Sequence, residues 1–210
     1  MTQFVHLHNH SDYSLLDGAQ SIESLVNRAV ELGMPAVGLT EHGNLFSAIH
    51  FLKAANTSGL KPILGCEIYV ADNNRFDKKS REQGGSGYHH LLLLVQNRQG
   101  YENLIKLVSL GYLEGYYYRP RVDNELLRKY NAGLIATSAC IKGRIPDLAI
   151  KGDYEKARQL ALEYAEIFAG RFYLEVQNHG IDDELRWYEI AKKLSAEIGL
   201  PRLLTNDTHY

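Results

Sequence analysis

The chain alternates between short apolar, β-branched runs and longer segments whose apolar positions recur with the helical period. This pattern predicts strands at residues 4–8, 36–40, 63–70, 90–95, 133–136, 172–176 and 202–205. It predicts helices between them at about 21–32, 45–57, 99–113, 153–169 and 182–198. Strands that alternate with helices indicate one α/β domain and favour a parallel barrel, although a doubly wound open sheet has the same local signature.

Residues at the ends of the predicted helices support this division. Ser21 and Asp153 are expected N-caps, and Gly33 and Gly170 follow helices as C-terminal stops. Residues 72–87 are polar and end in glycines, which predicts a mobile surface loop. In residues 115–121, tyrosines are interleaved with Arg119 and Arg121, two guanidinium groups that we expect to contact phosphate.

Composition narrows the class of protein. No apolar run approaches the roughly 20 residues that cross a bilayer, and no signal peptide is recognised, so we expect a cytoplasmic protein without a membrane partner. Two cysteines, Cys66 and Cys140, do not form a disulfide framework. The 23 basic and 25 acidic residues give a net charge of −2, so any affinity for nucleic acid must be local.

Side chains that commonly bind metals recur where the predicted strands end, or, in one case, begin. In parallel α/β architectures, active sites are built at the carboxyl ends of the strands. His6 and His8 lie in the first predicted strand, and His10 follows it. Because these residues are spaced two apart, their side chains are expected to point to the same side. The other strand ends carry Glu41-His42, Cys66-Glu67, His89-His90, Cys140, His179 and Asp207-Thr208-His209.

Imidazole and carboxylate groups in this number exceed what one ion needs. They predict a cluster of two or three divalent ions, zinc, manganese or iron, which suits phosphoester hydrolysis. Because metal ions activate water, no protein nucleophile is required. A single His-x-His pair is often only a packing feature, and we expect His50, His89 and Cys66 to be structural.

Four of these segments resemble the motifs of the polymerase and histidinol phosphatase (PHP) family. They are His6-Leu7-His8-Asn9-His10-Ser11, Thr40-Glu41-His42-Gly43, Gly65-Cys66-Glu67 and Asn206-Asp207-Thr208-His209. Residues 14–18, 115–121 and 174–180 further resemble the branch found at the N-terminus of bacterial replicative polymerase α subunits. The resemblance implies a distorted (βα)7 TIM-like barrel with a metal site at the C-terminal ends of its strands.

The resemblance also implies a set of metal ligands and makes His6 a neighbour of the cluster. Every ligand type that the family uses is present in this chain. The implied ligands are His8, His10, Asp17, His42, Glu67, His90, Cys140, Asp207 and His209.

For function, the resemblance implies a metal-dependent 3′–5′ exonuclease that proofreads DNA 3′ ends. We expect residues 1–210 to be one PHP domain excised from a larger polymerase, with the rest of the α subunit and a proofreading subunit as partners. Two alternatives stay open. The chain could act on small phosphomonoesters, as in the histidinol phosphatase branch, or serve as a non-catalytic, metal-stabilised scaffold of the polymerase.

Overall fold

One mixed sheet organises the chain. The computed structural model describes residues 4–78 and 87–209. Within these residues the strands are β1 (Ala36–Leu39), β2 (Lys61–Ala71), β3 (Tyr88–Val95), β4 (Arg121–Val122), β5 (Leu134–Thr137), β6 (Phe172–Val176) and β7 (Arg202–Leu204). Their order is β1-β2-β3-β5-β6-β7, and β4 pairs with β2 outside this path.

Helices connect most of the strands. They are α1 (Ile22–Glu31), α2 (Ala48–Thr57), α3 (Arg98–Leu113), α4 (Asn124–Tyr130), α5 (Arg144–Ile150), α6 (Tyr154–Phe168) and α7 (Asp182–Ile198). The five predicted helices are confirmed, whereas the short α4 and α5 were not predicted. No helix in the described part of the chain is long and apolar enough to cross a membrane.

The predicted helix caps have different outcomes. Ser21 caps α1, since its hydroxyl accepts the Ser24 N–H at 3.2 Å. Asp153 stands before α6 but makes no such bond, because its carboxylate accepts from Lys156 instead. Gly33 and Gly170 follow their helices with positive φ, as expected of C-terminal stops.

Strand β3 runs antiparallel to both of its neighbours, which corrects the expectation of an all-parallel barrel. The connection from β2 to β3 contains no helix among its described residues, and a hairpin connection reverses the direction of the chain. Of the predicted surface loop at 72–87, residues 79–86 lie outside the described residues. Because β3 runs antiparallel to its neighbours, His90 at its start lies at the same rim as the carboxyl ends of the parallel strands.

Residues 4–8 do not form the predicted strand, although the extended segment 6–10 closes the barrel. On one side, the Gly38 N–H of β1 donates to His6 O at 2.7 Å. On the other, the His10 N–H donates to Thr208 O at 2.8 Å, just beyond β7. The side-chain amide of Asn9 donates to the carbonyl oxygens of His6 and Gly38, so the backbone hydrogen bonds between this segment and β1 are irregular.

Gly38 allows this segment to lie against β1. A Cβ atom at position 38 would stand 2.4 Å from the carbonyl oxygen of Leu7, closer than side-chain atoms approach a backbone. The glycine therefore permits the first segment to carry its histidines into the barrel. The sheet and its closing segment form a distorted barrel of the predicted class, with apolar side chains packed between the sheet and the helices.

Candidate metal centre

Seven of the nine expected ligands meet at the rim of the barrel. They form three groups of three, and the donor atoms within each group lie within 4.8 Å of one another. The groups share members, so they make one continuous cluster rather than separate sites. They are His8, His10 and Asp207; His10, His42 and His209; and His42, Glu67 and His90.

Asp207 lies between the two histidines of the closing segment. Its Oδ1 atom is 3.1 Å from His8 Nε2 and 3.2 Å from His10 Nε2. Two donors on one tetrahedral ion with bonds of about 2.1 Å are separated by about 3.4 Å. These three atoms are therefore spaced as ligands of a shared ion would be.

Glu67 is the central carboxylate of the cluster. It is fully buried, and each of its oxygens faces two imidazoles. Oε1 lies 2.7 Å from His90 Nδ1 and 3.6 Å from His8 Nε2. Oε2 lies 2.7 Å from His42 Nδ1 and 3.7 Å from His10 Nε2. Glu67 would therefore hold metal ions together with the imidazoles on both of its sides.

Asp17 and Cys140 border the cluster without joining the three groups. Asp17 Oδ2 is 3.4 Å from His42 Nε2 and 3.9 Å from His209 Nε2, and its side chain is half exposed. Cys140 Sγ is 4.0 Å from both Glu67 Oε1 and His90 Nδ1. The structure thus places all nine expected ligands around one rim.

The cluster fits metal ions because its donor atoms lack other partners. Six buried side-chain atoms have no hydrogen-bond partner among the described residues, and five of them belong to expected ligands: His8 Nε2, His10 Nε2, His42 Nδ1, Glu67 Oε2 and Asp207 Oδ1. The sixth is Nδ1 of the neighbouring His6. The Nδ1 of His42 approaches Glu67, but without hydrogen-bond geometry. An unsatisfied buried polar atom costs about 1–3 kcal/mol. Several in contact are explained by a cation that all of them would bind.

Electrostatics keeps both central carboxylates ionised. Burial alone would raise the pKa of Asp207, but His8 and His10 lower that pKa to about 2. Burial likewise opposes ionisation of Glu67, yet His90, His42 and His8 hold the pKa of its carboxyl well below the ordinary value. Divalent ions require ionised carboxylates as ligands, and imidazole nitrogens that have given up their proton.

The pKa values of the two histidines of the closing segment are shifted in opposite directions. The pKa of His8 stands well above 6.5 even though burial lowers it, because Asp207 and Glu175 stabilise its proton. Burial is the main influence on the pKa of His10, which is lowered. Protons therefore compete with a metal ion more strongly at His8 than at His10.

Sequence reasoning missed Glu175, which orients His8. The His8 Nδ1 atom lies 2.7 Å from Glu175 Oε1, so Nδ1 carries the proton and Nε2 faces the cluster. Glu175 is fully buried and also accepts hydrogen bonds from Thr137, Thr205 and Gln177. A carboxylate inside the otherwise apolar strand β6 was the signal that could have identified it.

Glu41 was quoted in a motif but assigned no role, and it proves to be a second buried carboxylate behind the ligands. It accepts hydrogen bonds from the hydroxyls of Ser11, Ser14 and Ser47. Ser14 in turn contacts His10 and the backbone of His42. Its position between Thr40 and His42, at the end of a buried strand, was the available signal.

The two expected phosphate-binding arginines have different environments. Arg121 is 1% exposed, and its guanidinium donates to the backbone carbonyls of Arg75, Asp77, Gly87 and Gly115. These bonds fix the segments on either side of residues 79–86, so Arg121 is structural and the expectation that it contacts phosphate is wrong. Arg119 remains accessible, with its guanidinium carbon 5.6 Å from the centre of the Tyr69 ring.

Seven of the nine expected ligands line a cavity of about 1600 Å³, whereas His8 and His10 are fully buried and do not line it. Large aromatic and aliphatic side chains surround its mouth and remain exposed, among them Leu15, Phe46, Tyr116 and Tyr118. Tyr118 adopts a positive φ of 61°, a costly conformation for a non-glycine residue. Arg119 and Lys142 supply positive charge to the same lining.

Several other polar residues have structural partners. His179 lines the cavity, but its Nδ1 contacts Glu184 at 2.8 Å and its Nε2 contacts Asn206 O at 2.7 Å. His50 pairs with Glu23 and His89 pairs with Asp72, both away from the cluster. Cys66 is buried and donates to Glu41 O at 3.2 Å. His50, His89 and Cys66 have the structural surroundings that were expected.

Sequence comparisons place this geometry in a family. The sequence profile of the PHP domain matches residues 6–179. The chain is 49% identical over 209 residues to the DNA polymerase III subunit alpha of Borreliella burgdorferi, covering 100% of this chain and 18% of that protein. It is 42% identical over 210 residues to the same subunit of Thermus aquaticus, covering 99% of this chain and 17% of that protein. The chain therefore spans about a fifth of these relatives.

Solved structures support the fold. A protein from Bifidobacterium adolescentis assigned to the metal-dependent phosphoesterases superposes with a TM-score of 0.59 at 17% identity, covering 100% of this chain and 89% of that one. An amidohydrolase from Chromobacterium violaceum gives a TM-score of 0.59 at 15% identity, covering 98% and 87%. At such identities the likeness concerns the arrangement of helices and strands.

Proposed function

This chain belongs to the PHP domain family, and we propose that it is a metal-dependent phosphoesterase that removes nucleotides from DNA 3′ ends. The observation that carries the proposal is that five of the six buried side-chain atoms without partners among the described residues belong to expected ligands. We assign two or three divalent ions to the cluster, with zinc, manganese or iron as the elements that its imidazoles and carboxylates suit.

The chain's own residues prepare this site for phosphate chemistry. Bound divalent ions polarise a phosphoryl group and lower the pKa of coordinated water. His8 and His10 would hold one ion together with Asp207, and His42 and Glu67 would hold another with their neighbours. Arg119, at the cavity wall, would bind a nonbridging phosphate oxygen and orient the scissile bond.

The shape of the cavity favours a strand over a small phosphomonoester. Small-molecule sites are typically about 300–1,000 Å³, and this cavity, at about 1600 Å³, is larger and open at its mouth. Exposed aromatic rings such as Tyr116 and Tyr118 are suited to stacking on unpaired bases. A single-stranded 3′ end would reach the ions with its last phosphodiester while upstream bases contact the rim.

We assign the chain to the N-terminal region of a replicative polymerase, since the relatives it matches are DNA polymerase III α subunits matched over about 18% of their length. The rest of that subunit and a proofreading subunit are the partners we propose. Proofreading would then be coupled to synthesis within one assembly.

The test is hydrolysis by the chain loaded with Mn²⁺ or Zn²⁺, using 3′-labelled single strands and mismatched primers. We expect stepwise release of 3′ nucleotides that a His8→Ala/His10→Ala variant does not catalyse. Turnover of an aryl phosphate without cleavage of DNA would replace the exonuclease by a phosphomonoesterase. Metal uptake that raises the melting temperature without hydrolysis of any ester would instead identify a scaffold.

A further inference from the structure

Glu41 forms a hydroxyl network behind the ligands. Its carboxylate is 2% exposed and lies at the end of the buried run that includes β1. Ser14 Oγ donates to Oε2 at 2.5 Å, Ser47 Oγ donates to Oε1 at 3.0 Å, and Ser11 donates through its hydroxyl and through its N–H at 3.2 Å. All of these donors are hydroxyl or amide groups, and both carboxylate oxygens of Glu41 accept from them.

Ser14 connects this network to two expected ligands. A serine hydroxyl has one hydrogen to donate and two positions at which to accept. The hydrogen is committed to Glu41, since a carboxylate only accepts. The backbone N–H of His42 uses one accepting position at 3.1 Å, and His10 Nδ1 occupies the other at 3.2 Å.

The direction of these bonds determines where the proton of His10 lies. Because the Ser14 hydrogen is already committed, the contact with His10 is a hydrogen bond only if Nδ1 is the donor. Nε2 then carries the lone pair, and it is the atom that faces Asp207 without a hydrogen-bond partner. His8 has the same orientation through its direct bond to Glu175.

We propose that Glu41, acting through the Ser14 hydroxyl, is a positioning residue that fixes His10 in its Nδ1-protonated tautomer and presents Nε2 to a metal ion. The inference rests on the proposed metal function. The same hydroxyl holds the backbone of His42, so one serine positions two ligands of the group formed by His10, His42 and His209. Groups that orient ligand histidines in this way typically change metal affinity about 10–100-fold.

The chain offers a matched pair of variants, Ser14→Ala and Ser47→Ala. Each removes one hydroxyl that donates to Glu41, but among these bonds only the hydroxyl of Ser14 reaches His10. Two quantities are measured: the ¹⁵N shifts that report the His10 tautomer in chelator-treated protein, and the affinity for Zn²⁺ by competition with a chromogenic chelator.

We expect wild-type His10 to carry its proton on Nδ1, and Ser14→Ala to lose this preference and bind Zn²⁺ about 10–100-fold more weakly. Ser47→Ala should keep the tautomer and remain within about threefold of wild-type affinity. Ser14→Thr retains the hydroxyl and should recover the wild-type tautomer.

An Nε2 proton on wild-type His10, or equal losses of affinity in the two alanine variants, would overturn the inference. The wild-type tautomer decides this even if Ser14→Ala does not fold. Absence of Zn²⁺ uptake by a wild-type protein with the expected tautomer would count against the proposed function instead, since the tautomer is measured without metal.

Discussion

Two clusters of buried polar side chains in this protein differ in whether their hydrogen-bonding groups find partners within the chain. The arginine cluster consists of Arg75, Arg121, Asp123 and Glu114, and it satisfies itself. Arg75 donates to Asp123 at 2.9 Å and to Glu114 at 2.6 Å, while four backbone carbonyls accept from Arg121. Asp123 also caps α4 through the Leu126 N–H. This cluster requires nothing from outside the chain.

The candidate metal centre is the opposite case. Two carboxylates, Glu67 and Asp207, are surrounded by imidazoles, yet each retains a buried oxygen without a hydrogen-bond partner. The number of polar groups is similar in the two clusters, so burial of charge alone does not distinguish a functional site. Donor atoms that converge and stay unsatisfied do distinguish it, because only an added ligand can complete them.

The largest expected effect is the loss of stability that follows when the arginine cluster is disrupted. Asp123→Ala should lower the free energy of unfolding by about 3–5 kcal/mol, since it leaves the buried Arg75 with weaker partners and removes a helix cap. Chemical denaturation would measure the loss. If this cluster is only structural, the folded variant still binds the wild-type number of metal ions. Fewer ions would show that the two clusters are not independent.

The next largest expected effect is the stabilisation of the fold by ions that bind at the candidate metal centre. Ions at about 100 times their dissociation constant should stabilise the fold by about 2.7 kcal/mol per site, which corresponds to a melting temperature higher by about 5–10 °C. Glu67→Gln keeps the shape of the side chain but removes its negative charge, so the increment should fall sharply. Calorimetry with and without chelator measures both proteins. An undiminished increment in Glu67→Gln would contradict the central place of this carboxylate.

The smallest effect concerns His179, a rim histidine whose two ring nitrogens are already bonded. The hydrogen bond to Glu184 raises its pKa above 6.5, and burial opposes this only in part. Because the pKa is raised in the folded state, the stabilisation is present below pH 6.5 and disappears as pH rises through the folded pKa.

His179→Gln should therefore lower stability by less than about 1 kcal/mol at pH 6 and by less still at pH 9, since the pair is partly exposed. Denaturation curves of chelator-treated proteins at the two pH values measure this difference. Metal affinity should be unchanged within error. A loss of metal binding would show that His179 is a metal ligand and not only a partner of Glu184 and Asn206.

Much of the candidate site was predictable from the sequence. The alternation of strands and helices placed His42 and Asp207 beyond strand ends, and ends of parallel strands share one rim. Period-two spacing gave His8 and His10 a common direction. These inferences depend only on local pattern and chain order. They therefore hold although residues 4–8 form no regular strand and β3 runs antiparallel to its neighbours.

Only the tertiary structure decided which charged residues converge on the candidate metal centre and which stabilise the surrounding structure. Arg121 and Arg119 are two positions apart, yet one is enclosed by carbonyls and the other is accessible. The His8–Glu175 bond joins residues 167 positions apart. The role of a polar side chain depends on the partners that folding brings to it, and hydrogen bonds between distant segments have no local signature in the chain.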